Sequence, residues 1–521
     1  MYSDSAAFIY LAGTIAFIML IWNTIEVGRN DAANIVNAVF GARVLRRKTA
    51  VRIAGVMVIL GAWASSPVIE TARKDIFDPQ SLELYDALAI FLAVYITNTV
   101  LLYSFSAFGM PVSTTAALVF SLLGGAIFLG GTVNWGTSST VIAAIICSIF
   151  ISGASSFLIQ RAFRGAVGPL CDDIRQVRLH GPWIAGALMT GLVYFMLMKG
   201  MMNIGFVQSL RVITIDAYGA PVVLLVVWSI LSLIIWAVIR IGGIKFQQNL
   251  FAGMAVIGMI AIAFAFGQND LANCASPGIA SYLIIQHGNL HSEFPVPSWI
   301  LLLCGCLLAV GMSTDYAQRV TRAEVNTGSQ GDIVRLYAPR WCLWLANYIT
   351  PKTDPQEALA PEPQLTEKRK LQHYDALRAA VITSVSGSVI AFASGYGLPV
   401  STTYVAFAAV VSTGWADKVF ARGDSNIKIA RTIWVIFSWF FSAFCAFLAT
   451  GITALIISFL GVVGILICLA VNLTVRYYFK RASDEQEKRL QIEAAERKKL
   501  LYGQHGEQVK SATDADAEAM G

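Results

Sequence analysis

The sequence predicts an all-α polytopic membrane protein of about 12 transmembrane helices, built as two inverted-topology repeats with broken or re-entrant helices. Three observations predict it. Of 521 residues, 56% are hydrophobic and only 13% charged, at a mean hydropathy of +0.64, which excludes an ordinary soluble domain. The motif Gly-x-Asn-Asp-x-Ala-Asn occurs twice, as GRNDAAN at 28–34 and GQNDLAN at 267–273. Each copy is followed, in the same order, by PVSTT, at 111–115 and 399–403.

Apolar windows of roughly 20 residues mark the helices in chain order. The first, 7–24, has no Lys or Arg before it and no clear cleavage site, so it reads as a retained helix, not a signal peptide. The basic stretch GARVLRRKTAVR (41–52) belongs in the cytoplasm and places the N-terminus outside. A window at 49–66 leads to the acidic-leaning loop 70–86, read as external. Windows at 84–108, 112–131 and 139–160 then return the chain to a basic loop with Arg161, Arg164, Arg175 and Arg178. Two connecting helices, 181–200 and 220–240, end at the basic segment 239–247. The next window, 249–266, runs into the second motif with the opposite orientation to the first. After 297–314 comes a polar insert, 315–372, whose Trp341, Trp344 and Tyr348 suggest a piece lying on the membrane surface. Windows at 374–397, 400–412, 430–457 and 459–478 complete the set. The charged tail after 480, with Ser483 ahead of acidic residues, reads as a short cytoplasmic surface helix followed by a disordered end.

A second internal match supports the duplication. The stretch from Tyr85 to PVSTT and the stretch from Tyr374 to PVSTT both begin Tyr-Asp-Ala-Leu and align with a single gap. The expected organisation is repeat 1 at 1–165, connecting helices at 166–244, repeat 2 at 245–457 carrying the insert 315–372, a final span at 458–479 and the tail 480–521. Inverted repeats are the architecture of secondary transporters, with sites at the repeat interface built from discontinuous helices. Gly28 and Gly267 are read as breaks before the Asn-Asp pairs. Gly109-Met110-Pro111 and Gly397-Leu398-Pro399 interrupt two further helices. A Ser-Thr-Thr after such a proline opens a new helix, where free N–H groups and the dipole favour an oxyanion. Asp31 and Asp270 would repel that anion, so a positive charge must enter with it. Carboxylate, amide and hydroxyl oxygens suit sodium, and a proton on each carboxylate would serve the same purpose.

With these paired motifs the chain resembles the inorganic phosphate transporter (PiT) family, over residues 8–48, 84–131, 249–285 and 374–412. The resemblance implies cation symport of phosphate, sodium as the coupling ion with protons as the alternative, and a homodimer in the cell membrane (the inner one in a bacterium). Carried over by motif position, it implies Asp31, Asn34, Asp270 and Asn273 around the cations, and Ser113, Thr114, Ser401 and Thr402 around phosphate. Asn30, Asn269, Thr115 and Thr403 are added as substrate neighbours, with helix capping as their other role. Two positions depart from the family pattern, where the residue after the motif glycine is commonly small: Arg29 and Gln268. Arg29 is expected to extend toward the basic loop of Arg43 and Arg46, with direct anion binding as its alternative. Sulfate is the competing substrate, because it is also a tetrahedral oxyanion.

The remaining polar residues have plainer readings. The eight cysteines show no CxxC pair, and most sit in apolar stretches as small hydrophobes. His287 and His291 lie in a Gly- and Pro-containing loop rather than on a metal-binding helix face. Glu26 is a candidate second cation or proton site, Asn98 is a polar group inside an apolar window, and Asp86 and Asp375 are expected at helix starts. No Ser-His-Asp set, HExxH or nucleotide loop appears, so an enzyme and a nucleic-acid binder are both disfavoured.

Overall fold

A computed structural model describes residues 6–64, 76–168, 173–201, 205–287, 296–331, 334–350, 372–421 and 424–502. Sixteen α-helices follow one another among these residues: α1 Ala6–Gly41, α2 Arg47–Trp63, α3 Leu84–Ala107, α4 Thr114–Phe128, α5 Trp135–Val167, α6 Ile174–Val193, α7 Gly205–Arg211 and α8 Ala220–Gln248. The second half holds α9 Leu250–His287, α10 Ser298–Met312, α11 Asp315–Thr327, α12 Arg340–Ile349, α13 Ala376–Gly395, α14 Thr402–Ala416, α15 Ser425–Leu460 and α16 Val462–Tyr502. A two-residue antiparallel pair, Phe77 against Val133 and Asp78 against Thr132, joins the α3 and α5 approaches.

Every apolar window falls on a helix. By length and composition, nine of the described helices can cross a membrane, or ten if α10 and α11, bent by 66°, make one span. Among the described residues, α4 and α14 have only 15 residues each. At 1.5 Å per residue they reach about 22 Å, short of a ~30 Å hydrocarbon core, and serve as half-helices.

The two repeats exchange partners. Helix α1 packs on α3, α9 and α10, and α9 packs on α13, α1 and α2, so each motif helix lies against the second helix of the other repeat. Likewise α4 packs on α15, and α14 on α5. Glycine makes the first of these crossings possible. A Cβ on Gly28 would overlap the carbonyl oxygen of Leu308, and one on Gly311 that of Ile25. Gly267 and Gly61 stand in the same relation to Val58 and Phe264. Small residues let membrane helices approach this closely.

That role corrects one expectation. Both motifs lie inside continuous helices, α1 and α9, and not at breaks or helix ends. The breaks are at the prolines: α3 ends at Ala107 and α13 at Gly395, Gly109 and Gly397 take φ of +66° and +68°, and α4 and α14 begin three residues after Pro111 and Pro399.

The insert and tail are more integrated than their composition suggests. Helix α11 buries Ala317, Val320, Thr321, Glu324, Val325 and Thr327 against its neighbours. Trp341, Trp344 and Tyr348 of α12 are exposed, as expected of a surface helix, while 351–371 lie outside the described residues. The tail is not a separate short helix but the end of α16. Ser483 sits within that helix and donates to the Lys480 carbonyl (2.9 Å) instead of capping. Arg319–Asp484 (2.6 Å) and Arg322–Glu487 (3.3 Å) tie this stretch to α11.

A buried ion cluster joins the halves elsewhere. Arg164 of α5 contacts both Asp375 and Asp417, and Gln160 donates to Asp417 (2.8 Å). Asp375 caps α13 through the Arg378 N–H (3.1 Å), as expected. Burial opposes its ionisation, yet Arg164 beside it and the Arg378 N–H hold its carboxyl below the usual carboxylate range.

Candidate functional site

The twelve residues singled out by the motifs are all buried and converge where the two helix breaks meet. Asp31 Oδ1 accepts from Asn30 Nδ2 (3.0 Å), Asn34 Nδ2 (3.0 Å) and Thr403 Oγ1 (2.9 Å). Its Oδ2 lies 3.0 Å from Thr114 Oγ1. The same Thr114 oxygen lies 3.0 Å from Asp270 Oδ1, which also accepts from Asn273 Nδ2.

The asparagines cross between repeats. Asn34 Nδ2 reaches Thr403 Oγ1 (3.0 Å) and Thr402 Oγ1 (3.4 Å); Asn273 Nδ2 reaches Thr115 Oγ1 (2.8 Å) and Thr114 Oγ1 (3.2 Å). The breaks themselves are joined, because Thr115 donates to the Val400 carbonyl (2.9 Å) and Thr403 to that of Val112 (3.2 Å). Asn30 and Asn269 fasten each motif to its own repeat's break, donating to Val112 O (2.6 Å) and Val400 O (2.7 Å). Helix capping falls to Ser113 and Ser401, whose hydroxyls accept from Ala116 N (2.9 Å) and Tyr404 N (3.1 Å), and not to Asn30, Asn269, Thr115 or Thr403. Sequence reasoning missed Ser106, which donates to Asn30 Oδ1 (3.2 Å); a serine next to the last residue of a helix carries no distinguishing signal.

The chemistry of this cluster is one of oxygen surplus. Thr114 has one hydroxyl hydrogen for two carboxylates at 3.0 Å. Those carboxylate oxygens are therefore no more than about 6 Å apart, and two full charges there repel by about 3 kcal/mol at an effective dielectric of about 20. In addition, Asn34 Oδ1, Asn273 Oδ1 and Asp270 Oδ2 are buried without a hydrogen-bond partner. Hard, unpartnered oxygens beside paired carboxylates are the ligand set of a small cation. The first turns of α4 and α14, opening at the same place, present N–H groups with no intrahelical acceptor.

Arg29 is drawn neither to the basic loop nor to the hydroxyl cluster. Its Nη1 pairs with Glu26 Oε2 (2.8 Å), its Nε donates to Thr314 Oγ1 (3.2 Å), and its guanidinium lies over Tyr103 and Tyr316. Glu26, wholly buried, also takes Arg476 Nη2 (2.6 Å). With two arginines on it, Glu26 is an ion-paired anchor, not an open cation site. Asn98 accepts from Ser121 (3.1 Å) and Asp86 from Ser458 (2.7 Å), both between helices. The His287 and His291 side chains lie outside the described residues.

Comparison with known proteins identifies the family and the fold. The chain is 28% identical over 448 residues to a protein of Pyrococcus horikoshii named "Putative phosphate permease", covering 84% of this chain and 95% of that one. A relative of the same description from Thermococcus kodakarensis is 29% identical over 457 residues, with the same coverage. A solved structure described as the sodium-dependent phosphate transporter shares the fold, at a TM-score of 0.64 and 20% identity over 86% of this chain and 99% of that one. Residues 27–325 and 368–484 match the phosphate transporter family, and the chain, a multi-pass membrane protein, belongs to it.

Proposed function

We propose that the protein imports inorganic phosphate as a secondary active transporter, by symport with sodium and alternating access. One observation carries this reading: a single Thr114 hydroxyl stands between Asp31 and Asp270, with three unpartnered oxygens around them. Cations bound among Asp31, Asn34, Asp270 and Asn273 neutralise the carboxylates. Phosphate then docks where α4 and α14 begin, on Ser113, Thr114, Ser401, Thr402 and the free N–H groups, with Thr115, Thr403, Asn30 and Asn269 holding the two breaks in register. Without the cations the carboxylates repel the anion, so binding of one favours the other. The distribution of Lys and Arg among the loops favours an external N-terminus and a cytoplasmic C-terminus.

Proton coupling is the second reading, because the shared hydroxyl is equally satisfied when one carboxyl carries a proton. Phosphate uptake into proteoliposomes under a sodium gradient, a proton gradient or neither separates the two, with excess sulfate as competitor. Concentrative uptake only with sodium, insensitive to sulfate, supports the proposal. Uptake driven by protons alone makes Asp31 and Asp270 proton carriers, and accumulation of sulfate in place of phosphate overturns the substrate.

A further inference from the structure

Helix α11, the far end of α16, the start of α15 and the chain around Gly109 meet at a cavity of about 50 Å³. Four arginines line it: Arg319, Arg322, Arg335 and Arg431. Two of them are paired with the tail, Arg319 with Asp484 (2.6 Å) and Arg322 with Glu487 (3.3 Å). Among the described residues, neither Arg335 nor Arg431 is paired with a carboxylate. Four positive charges therefore meet two negative ones.

Arg431 makes this more than a solvated basic face, because it is only 2% exposed. Its Nη2 donates to the Gly109 carbonyl (2.7 Å) and its Nη1 to that of Tyr337 (3.1 Å), while Nε has no partner. Arg378, also buried, is differently placed: each of its three nitrogens is bonded, and it lies over the Tyr374 ring. A buried cation without an anion is strongly disfavoured. A tetrahedral oxyanion in the cavity supplies both the missing charge and acceptors for the guanidinium forks. The volume allows it, since one water molecule needs about 10–15 Å³ and the cavity holds several times that. The tail carboxylates are partly exposed, and such pairs are weakly held, so an incoming anion can take their place. Gly109 ties the cavity to the first helix break: Ser113 follows four residues later, within about 14 Å of chain.

We propose that Arg319, Arg322, Arg335 and Arg431 form a second oxyanion site, on the side that carries the insert and the tail, which takes inorganic phosphate without sodium. That the anion is the transported one rests on the symport reading; its binding needs neither motif carboxylate. The test is equilibrium binding of radiolabelled phosphate to purified full-length protein in detergent, with sodium present or replaced by choline. Wild type should bind one phosphate per chain in choline and a second when sodium is added. R335Q alters a half-buried side chain with no described partner. It should weaken binding in choline about tenfold and spare the sodium-dependent phosphate. E487Q removes the competing carboxylate and should strengthen binding in choline. No binding in choline, or binding there that both variants leave unchanged, would overturn the proposal with the symport reading intact. Binding in choline that R335Q weakens, with no further phosphate on adding sodium, would instead sink the symport reading and leave the arginine site standing. Anionic phospholipid added to the detergent separates a free phosphate from a lipid headgroup: it should leave binding in choline unchanged, and its displacing the phosphate would overturn the proposal by assigning the arginines to lipid.

Discussion

Arg29, the second residue of the first motif, offers the sharpest check on which charges belong to the transport site. Glu26 accepts from Arg29 at 2.8 Å and Arg476 at 2.6 Å, and E26Q removes the counter-charge from both. Removing one partner of a buried pair costs about 3–5 kcal/mol. Here the guanidiniums keep aromatic company, Arg476 at 4.0 Å from the Tyr103 ring and 4.6 Å from that of Trp22, which offsets roughly 0.5–1 kcal/mol per contact. The expected loss is therefore near the lower end, about 3 kcal/mol, read by thermal unfolding of purified protein. An E26Q/R476M double variant should lose less than the sum of the singles, since each change relieves the other. The phosphate arm is independent of stability. A guanidinium binding the anion directly would contribute about 1.5–3 kcal/mol per charged hydrogen bond, so its removal would raise half-saturating phosphate about 10- to 100-fold. With Arg29 committed to Glu26, R29M should change it less than about threefold. An E26Q cost under about 1 kcal/mol, the range of a solvated pair, or a large phosphate effect in R29M, would refute the reasoning.

Further outcomes follow from the same geometry. D31N and D270N should each abolish sodium-stimulated phosphate uptake while the protein remains monodisperse, since each removes one of the two charges that need a cation. T115V and T403V each take one of two donors from the Val400 and Val112 carbonyls, which keep Asn269 and Asn30, a cost of about 0.5–1.5 kcal/mol each, and should slow uptake to a similar degree in both; a large disparity would count against equivalent repeats. G28A or G267A should lower thermal stability by about 1–3 kcal/mol through overpacking, because a Cβ there meets backbone. G253A is the control: nothing lies within 4 Å of its added carbon, so it should be neutral or stabilising by up to about 1 kcal/mol.

Much of the architecture was legible because hydropathy and proline act locally. Thirteen apolar windows landed on helices, and Pro111 and Pro399, each two residues after a glycine, marked the breaks where Ser113 and Ser401 open new helices. Glycine was the ambiguous letter. Gly28 reads equally as a break or as a surface for close approach, and what decides between them is the Leu308 carbonyl, which belongs to the other repeat. Arg29 was misjudged for the same reason: its partner Glu26 is local, but the burial that makes the pair binding depends on Arg476 and Tyr316, far along the chain.

The crosswise bonds carry the argument one step beyond that comparison. Asn34 of the first repeat is bonded to Thr403 of the second, and Asn273 of the second to Thr115 of the first. Neither half completes the surroundings of its own carboxylate. Asp31 depends on Thr403, and Asp270 on Thr114. A displacement of one repeat against the other must therefore change the oxygen sets around both carboxylates in the same movement. Two independent sites, each closed within one repeat, would let a cation stay behind while the anion left. Sharing the hydroxyls removes that freedom, so in the proposed symport the exchange of partners between repeats would supply a physical basis for tying cation binding to anion binding.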